Sequence, residues 1–170
     1  SLWLIYIVLR NEGLGPGIGL GRLDQYLYPF YRRDIEEGRI TREEALELLE
    51  LLLIKINDVV VLMSSAFAEQ LAGFPTIANI TLGGVTKEGK DAVNELSYLF
   101  LDAEKEVGLT VEEIVIRVNK DNPDAFLMKA CEVNRALIGK FKFLSDDTAI
   151  QQMMVDGKPN PRDYVVVGCF

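Results

Sequence analysis

Apolar residues recur at spacings of three and four along several parts of this chain, and that period predicts helices. Residues 2–10 are apolar on nearly every side, which is typical of the end of a buried helix. A second helix is predicted from residue 42 to about residue 63, because Thr41 and Glu44 have the spacing of a capping box. A third amphipathic helix is predicted over residues 87–107. The first half of the chain is therefore expected to be rich in helix.

The second half of the chain alternates short β-branched runs with helical stretches. Strands are predicted over residues 111–118, 141–144 and 164–169. Helices are predicted between them, over residues 121–136 and 146–155. Because this alternation is typical of parallel strands joined by helical crossovers, the fold class is predicted to be α/β.

Two glycine-containing stretches give weaker signals. Glycine occupies every second position from Gly13 to Gly21, but this spacing matches neither phosphate-binding template, since no Gly-x-Gly-x-x-Gly and no Gly-Lys-Ser/Thr can be placed in it. The run instead predicts a tight loop whose backbone approaches a substrate or another strand. Residues 74–84 are expected to be irregular.

The charge and the residue types exclude several classes of function. The chain has 170 residues, of which 49% are hydrophobic, and a net charge of −8. An acidic balance disfavours nucleic-acid and anionic-membrane surfaces, which need clustered Lys and Arg. Histidine is absent, which excludes a Ser/His or Cys/His nucleophile pair and a His-ligated metal site within this chain. Chemistry here must use carboxylates, Cys, Tyr, Lys, Arg or the backbone.

Cys169 is the strongest candidate for chemistry, because it follows Gly168 at the end of the last predicted strand and functional groups collect at such strand ends. A buried cysteine that only packs is the alternative. Cys131, inside a predicted helix, is expected to lie in the core. The two cysteines have no zinc or redox spacing and fit a reduced, cytoplasmic protein. The sequon that begins at Asn79 is interpreted as chance.

Two pairs of adjacent carboxylates are candidates for acid–base chemistry, and both are interpreted as ordinary residues at element edges. They are Glu112 with Glu113 and Asp146 with Asp147.

Three stretches resemble the glycyl radical enzymes of the pyruvate formate-lyase family, in the same order. They read GRLDQYLYPFYRRDIEEGRITREEALELLELLLIKIND (21–58), NITLGGVTKEGKDAVNELSYLFLDAEKE (79–106) and DYVVVGC (163–169). The resemblance covers nearly all 170 residues. It implies that residues 1–170 are a partial pyruvate formate-lyase-type barrel domain: part of a ten-stranded α/β barrel, without its N-terminal part and without the C-terminal glycyl radical domain. The start at Ser1 and the apolar run before Phe170 likewise suggest a piece of a longer polypeptide.

The resemblance assigns Cys169 the catalytic role of a thiyl radical that abstracts hydrogen from a small organic substrate. It implies a protein-based glycyl radical elsewhere in the full chain, installed by an activating enzyme that uses S-adenosylmethionine and an iron–sulfur cluster. No cofactor and no metal is expected to bind this segment itself. A cytoplasmic homodimer with no nucleic-acid or membrane partner is the expected full-length form.

Departures from the family pattern bear on the reaction. Formate C-acetyltransferases of this family carry two adjacent cysteines, whereas Gly168 precedes the single Cys169 here, so the resemblance favours a dehydratase or lyase, such as a diol or glycerol dehydratase. In those branches a general-base Glu usually stands two residues after the Cys, which is beyond Phe170. Some dehydratases have a substrate-contacting Ser where this chain has Gly19. Formate C-acetyltransferase and a non-catalytic fragment or scaffold remain as alternatives.

Overall fold

Parallel strands and crossover helices make up the computed structural model, which describes residues 2–12, 17–59, 64–70 and 77–168. The helices are α1 (Leu2–Glu12), α2 (Leu23–Tyr26), α3 (Tyr28–Glu36), α4 (Arg42–Asp58), α5 (Ser65–Gln70), α6 (Glu95–Val107), α7 (Asp124–Ala136) and α8 (Asp146–Val155). The strands are β1 (Gly17–Gly21), β2 (Ile77–Gly83), β3 (Glu112–Val118) and β4 (Lys142–Ser145), and a short 3-10 helix covers Pro161–Asp163.

The four strands form one sheet in the order β1-β2-β3-β4, and every neighbouring pair is parallel. Each pair is joined through at least one helix, as parallel neighbours require. The α/β class and the parallel sheet predicted from the second half are thus confirmed. The predicted strands at 111–118 and 141–144 correspond to β3 and β4, and the predicted helix over 146–155 corresponds to α8.

Successive side chains of a strand point to opposite faces of a sheet, and the two faces here differ in chemistry. One, the helix face, carries Ala78, Ile80 and Leu82 of β2 with Ile114 and Ile116 of β3, all in the main core cluster with residues of α4, α6 and α7. The other, the polar face, carries Asn79 and Thr81 of β2 with Glu113, Val115 and Arg117 of β3. Asn79, Thr81 and Arg117 are fully buried.

The ends of the long helices are set by local capping. Thr41 Oγ1 accepts a hydrogen bond from the Glu44 amide at 3.1 Å, and the Glu44 carboxylate accepts one from the Thr41 amide at 2.8 Å. The predicted capping box of α4 is therefore confirmed, although α4 ends at Asp58 and residues 60–63 lie outside the described residues. The C-terminal end of α6 is set by Gly108, which has a φ of 54° and stops the helix as an αL cap.

Residues 74–84 were expected to be irregular, and that expectation is wrong from Ile77 to Gly83, which form β2, while residues 74–76 lie outside the described residues. The alternation of Ala78, Ile80 and Leu82 with polar Asn79 and Thr81 is the period of a strand with two unlike faces. The predicted start of the third helix, at residue 87, was also wrong. Residues 87–94 are not helical, and α6 begins at Glu95 because the Asn94 side chain caps it.

The glycine run is partly a strand and not a loop. Gly17–Gly21 forms β1 at the edge of the sheet, and residues 13–16 lie outside the described residues. The strand predicted over residues 164–169 is wrong for residues 164–168, which pair with no strand among the described residues, and Cys169 lies outside those residues. The backbone of residues 164–168 is bound by side chains of the polar face instead.

Two predictions of burial fail in the chain as described. Helix α1 is helical as predicted, but only Tyr6 and Arg10 are buried, and Leu4 is 62% exposed. Cys131 was expected in the core and is exposed, because the buried side of α7 is formed by Phe126, Ala130 and Val133. Among the described residues, no helix is long and apolar enough to cross a bilayer.

Candidate functional site

An extended segment, residues 164–168, crosses the polar face of the sheet. The Val166 amide faces Thr81 Oγ1 at 3.5 Å, and the Gly168 amide donates a hydrogen bond to Asn79 Oδ1 at 2.7 Å. Since Thr81 lies nearer the carboxyl end of β2 than Asn79, the segment runs from that edge back over the middle of the sheet. Gly168, the last described residue, therefore lies over the face of the sheet. The sequence had predicted it at the carboxyl end of a strand.

The Asn79 carboxamide contacts the backbone of Gly168 at two points. Besides accepting from the Gly168 amide, its Nδ2 donates to the Gly168 carbonyl oxygen at 3.3 Å. The same Nδ2 donates to Glu113 Oε2 at 3.1 Å, across the strand pair. Both amide hydrogens and the acceptor oxygen of Asn79 are thus used.

Arg117 fixes the beginning of the segment. Its guanidinium forms a two-point ion pair with Asp146, with Nε–Oδ1 at 2.7 Å and Nη2–Oδ2 at 2.9 Å, and neither side chain is exposed. Arg117 Nη1 also donates to the Tyr164 carbonyl oxygen at 3.1 Å, and its carbon Cζ lies 4.0 Å from the centre of the Tyr164 ring. The Tyr164 hydroxyl donates to Asp146 at 2.8 Å. Burial, followed by this hydrogen bond, raises the pKa of the Tyr164 phenol.

Arg22 joins the 3-10 helix to the carboxyl end of β2. Its Nη2 donates to the carbonyl oxygens of Gly83 and Val85 at 3.0 and 2.9 Å, and its Nη1 pairs with Asp163 at 3.2 Å. The side chain is buried, and loss of hydration lowers the pKa of its guanidinium from the usual value. The residues just before the segment are therefore held by Arg22, which directly follows β1, and also by Arg117 of β3, whose Nη2 donates to the Arg162 carbonyl oxygen at 2.9 Å.

Asp24 supports the same strand end from α2. Its Oδ2 accepts hydrogen bonds from the Gly83 amide at 2.8 Å and from the Ser97 hydroxyl at 2.7 Å. The carboxyl group is fully buried, and burial raises its pKa. Arg22 and Asp24 both lie in the first stretch of the sequence that resembles the family. Both bind the backbone of the turn that begins at Gly83.

The segment passes close to two glycines of β1, and at Gly19 there is no room for a side chain. A Cβ on Gly19 would lie 2.3 Å from Val167 Cγ2 and 3.3 Å from the Val166 carbonyl oxygen, and one on Gly17 would lie 3.7 Å from Gly168 Cα. The close backbone approach predicted from the glycine run is confirmed at these positions. What approaches is the segment that leads to Cys169.

The family model described as pyruvate formate lyase-like matches residues 1–170 of this chain. The chain belongs to the pyruvate formate lyase-like family. The resemblance found in the three sequence stretches is thereby confirmed.

Members of this family with known names or structures match nearly the whole chain. Trans-4-hydroxy-L-proline dehydratase of Clostridioides difficile is 35% identical over 177 residues, which cover 99% of this chain and 22% of that protein. A solved structure on 1,2-propanediol dehydration in Roseburia inulinivorans superposes with a TM-score of 0.95 at 37% identity, covering 99% and 22% of the two chains. The glycerol-bound B12-independent glycerol dehydratase of Clostridium butyricum gives 0.92 at 33% identity, covering 98% and 21%.

The chain spans about a fifth of the length of the relatives it matches. At these identities the likeness extends to fold, so the parallel sheet and its helices correspond to part of the larger α/β fold of the glycyl radical enzymes. Among the described residues, no group of three His, Cys, Asp or Glu side chains could hold a metal ion.

In this family member, the predicted site residue Cys169 lies outside the described residues, which end at Gly168. The residues that sequence reasoning missed are the ones that hold the segment before it. Asp146 and Glu113 had been interpreted as ordinary edge carboxylates, yet one is a buried partner of Arg117 and the other binds Asn79. The period-two alternation in 78–82 could have revealed Asn79, because it places a polar side chain inside a buried strand.

Proposed function

We propose that this chain is the cysteine-bearing part of the catalytic barrel of a glycyl radical enzyme, and that Cys169 is its hydrogen-abstracting residue. Three findings support the proposal: membership of the family, names of relatives that are dehydratases and lyases, and a segment leading to Cys169 that is held on a buried polar face. On this proposal residues 1–170 are a partial barrel domain, and the glycyl radical domain belongs to another part of the complete polypeptide.

Hydrogen-atom transfer suits the residues of this chain. The neutral thiol of Cys169 gives its hydrogen atom to a glycyl radical carried elsewhere in the polypeptide, and the sulfur radical then takes a hydrogen atom from the substrate. Each step breaks one bond to hydrogen and forms one, and the thiol is restored when the product radical takes the atom back. No thiolate is needed, so the absence of histidine is no obstacle, unlike in nucleophilic cysteine catalysis.

Elimination is the reaction we propose, with loss of water or a comparable leaving group from a small organic substrate. The named relatives include dehydratases and isethionate sulfite-lyase. The backbone at Gly168 adds support, because its φ of 108° lies in a region that L side chains rarely adopt. A second cysteine at this position would be strained on this backbone, which disfavours the two-cysteine form expected of a formate C-acetyltransferase.

The further assignments follow from family membership alone. The radical is installed by an activating enzyme that uses S-adenosylmethionine and an iron–sulfur cluster. The complete protein is a cytoplasmic homodimer.

The test is made on the complete polypeptide that contains this chain, co-expressed anaerobically with its activating enzyme. Substrates drawn from the names of the relatives are offered: trans-4-hydroxy-L-proline, 1,2-propanediol, glycerol and isethionate. The variant Cys169→Ala is expected to keep the glycyl signal in electron paramagnetic resonance and to lose turnover. The matched control Cys131→Ala removes the exposed cysteine and should leave turnover unchanged. Turnover by Cys169→Ala would overturn the proposal, and formate production from pyruvate would favour the acetyltransferase.

A further inference from the structure

The Asn79 side chain has only one orientation that fits its surroundings. With Oδ1 toward the Gly168 amide and Nδ2 toward Glu113 and the Gly168 carbonyl, every donor meets an acceptor. A flipped amide would direct its N–H groups at the Gly168 N–H and its oxygen at the Glu113 carboxylate. Glu113 therefore fixes the orientation in which Asn79 contacts the segment.

The two contacts on Gly168 resemble the paired hydrogen bonds between two strands, but here a side chain makes them. The carbonyl that Asn79 binds belongs to the peptide bond that joins Gly168 to Cys169. A glycine is the residue most able to change its backbone angles, and this one pairs with no strand in the part of the chain that the structure describes. Asn79 supplies the missing restraint at the residue next to the cysteine.

We propose that Asn79 is a positioning residue for Cys169: through the Gly168 backbone it holds the cysteine where its sulfur meets the substrate hydrogen. The inference rests on the proposed function of Cys169. Consecutive Cα atoms are about 3.8 Å apart, so a displacement of the Gly168 backbone also displaces the next residue. Transfer of an atom between groups requires approach to about 3–3.5 Å, and a misplacement of about 1 Å can cost about 100-fold in rate. Because Asn79 is fully buried, its loss should act on kcat and leave KM unchanged.

The chain offers a matched control in Asn122, a second buried asparagine with the same pattern of bonds. Its Oδ1 accepts from the Asn119 amide at 2.8 Å, and its Nδ2 donates to the Gly84 carbonyl at 2.9 Å and to Asp91 at 2.7 Å. These three partners lie outside residues 164–168. Replacing either asparagine by Ala removes the same groups from a buried site, but only Asn79→Ala frees Gly168.

The experiment uses the activated complete polypeptide and reports turnover per glycyl radical spin, so that a fall in the number of active molecules is not counted as a fall in rate. Asn79→Ala is expected to lower kcat per spin about 100-fold with KM unchanged. The kinetic isotope effect with substrate deuterated at the abstracted position should increase, because abstraction becomes the slow step. Asn122→Ala should keep kcat per spin and the isotope effect of the wild type.

A second variant, Asn79→Asp, keeps the size of the side chain and the acceptor for the Gly168 amide. It loses the donor to the Gly168 carbonyl and to Glu113, and it places a second carboxylate beside Glu113. It is expected to show the same changes in kcat per spin and isotope effect. Wild-type values of both in either Asn79 variant would overturn the positioning role. So would failure of both variants to accept the radical while Asn122→Ala accepts it, because Asn79 would then serve folding alone. Turnover by Cys169→Ala would instead overturn the proposed function itself.

Discussion

Arg117 and Asp146 form a two-point ion pair from which water is excluded, with oxygen–nitrogen distances of 2.7 and 2.9 Å and no exposure of either side chain. The pair connects β3 to the first residue of α8. Arg117 also binds the carbonyl oxygen of Tyr164, and Asp146 binds its hydroxyl. One buried pair thus ties the last β–α unit of the sheet to the start of the segment that leads to Cys169.

Replacing Asp146 by Asn should destabilise the protein strongly. The change leaves the Arg117 charge buried without a counter-ion, and breaking a buried pair in this way costs about 3–5 kcal/mol. The free energy of unfolding, measured by urea titration, should fall by that amount. Turnover should fall as well, since the start of residues 164–168 loses its anchor.

The surface pair of Arg32 and Glu36 is the control for this prediction. Their contact of 2.9 Å is similar in length, but the two side chains are 65% and 60% exposed. Exposed pairs contribute about 0–1 kcal/mol, so Glu36→Gln should change the unfolding free energy little. Equal effects of Glu36→Gln and Asp146→Asn would contradict the assignment of a structural role to the buried pair.

Replacing Gly19 by Ala should displace the segment that crosses β1. The new Cβ would overlap Val167 Cγ2 at 2.3 Å, and overpacking of this kind costs about 1–3 kcal/mol. Because Val167 directly precedes Gly168, the displacement should reach Cys169 and lower turnover per glycyl radical spin. The measurement is the activity of the activated complete polypeptide.

A second substitution tests whether the overlap is the cause. Val167 is half exposed, so Val167→Ala alone should have a small effect on stability and turnover. Combined with Gly19→Ala, it removes the clashing methyl group and should restore most of the lost turnover. No recovery in the double variant would show that Gly19 acts in another way.

Local signals predicted much of the fold. The capping box of α4, the β-branched core of β3 and the alternation of elements from β3 to α8 are properties of neighbouring residues, and each was predicted correctly, whereas the final strand was not. Strand β1 could not be predicted in this way, since Gly17 and Gly19 have no side chains to pack. Glycine is favoured at position 19 because a Cβ there would lie 2.3 Å from Val167 Cγ2, a contact nearly 150 positions away in sequence.

The candidate site was predicted only at its cysteine. Cys169 was identified by resemblance and stays a prediction. Asn79 was noted only as the first residue of a glycosylation sequon, and no role was predicted for its side chain. The roles of Asn79 and Asp146 depend on partners in distant parts of the chain, Gly168 and Arg117. A single sequence records the residue types but not the pairs, so these roles became visible only from the structure.

A buried cluster of one lysine and two glutamates lies at the opposite end of the sheet, and it predicts a stability that depends on pH. Lys140 Nζ lies 2.5 Å from Glu104 Oε2 and 2.8 Å from Glu112 Oε1, and neither carboxyl group is exposed. Burial raises the pKa of Glu104 from 4.5 to about 7, and the charge of Glu112 adds to the effect while Lys140 opposes it. The two carboxylates therefore share one cation.

The free energy of unfolding should decrease as the pH rises from about 4.5 to about 7. The folded protein holds the Glu104 proton more tightly than the unfolded chain does, so the stabilisation is complete below the unfolded pKa and is lost as the pH passes the folded one. The change amounts to about 3 kcal/mol. Urea titrations across this range should show the decrease for the wild type and for the exposed control Glu106→Gln. Glu104→Gln removes one titrating group and should show a clearly smaller decrease, since the buried Asp24 carboxyl, whose pKa is also raised, remains. The same slope in Glu104→Gln as in the wild type would contradict the assignment to Glu104, because the proton would then be held by another group.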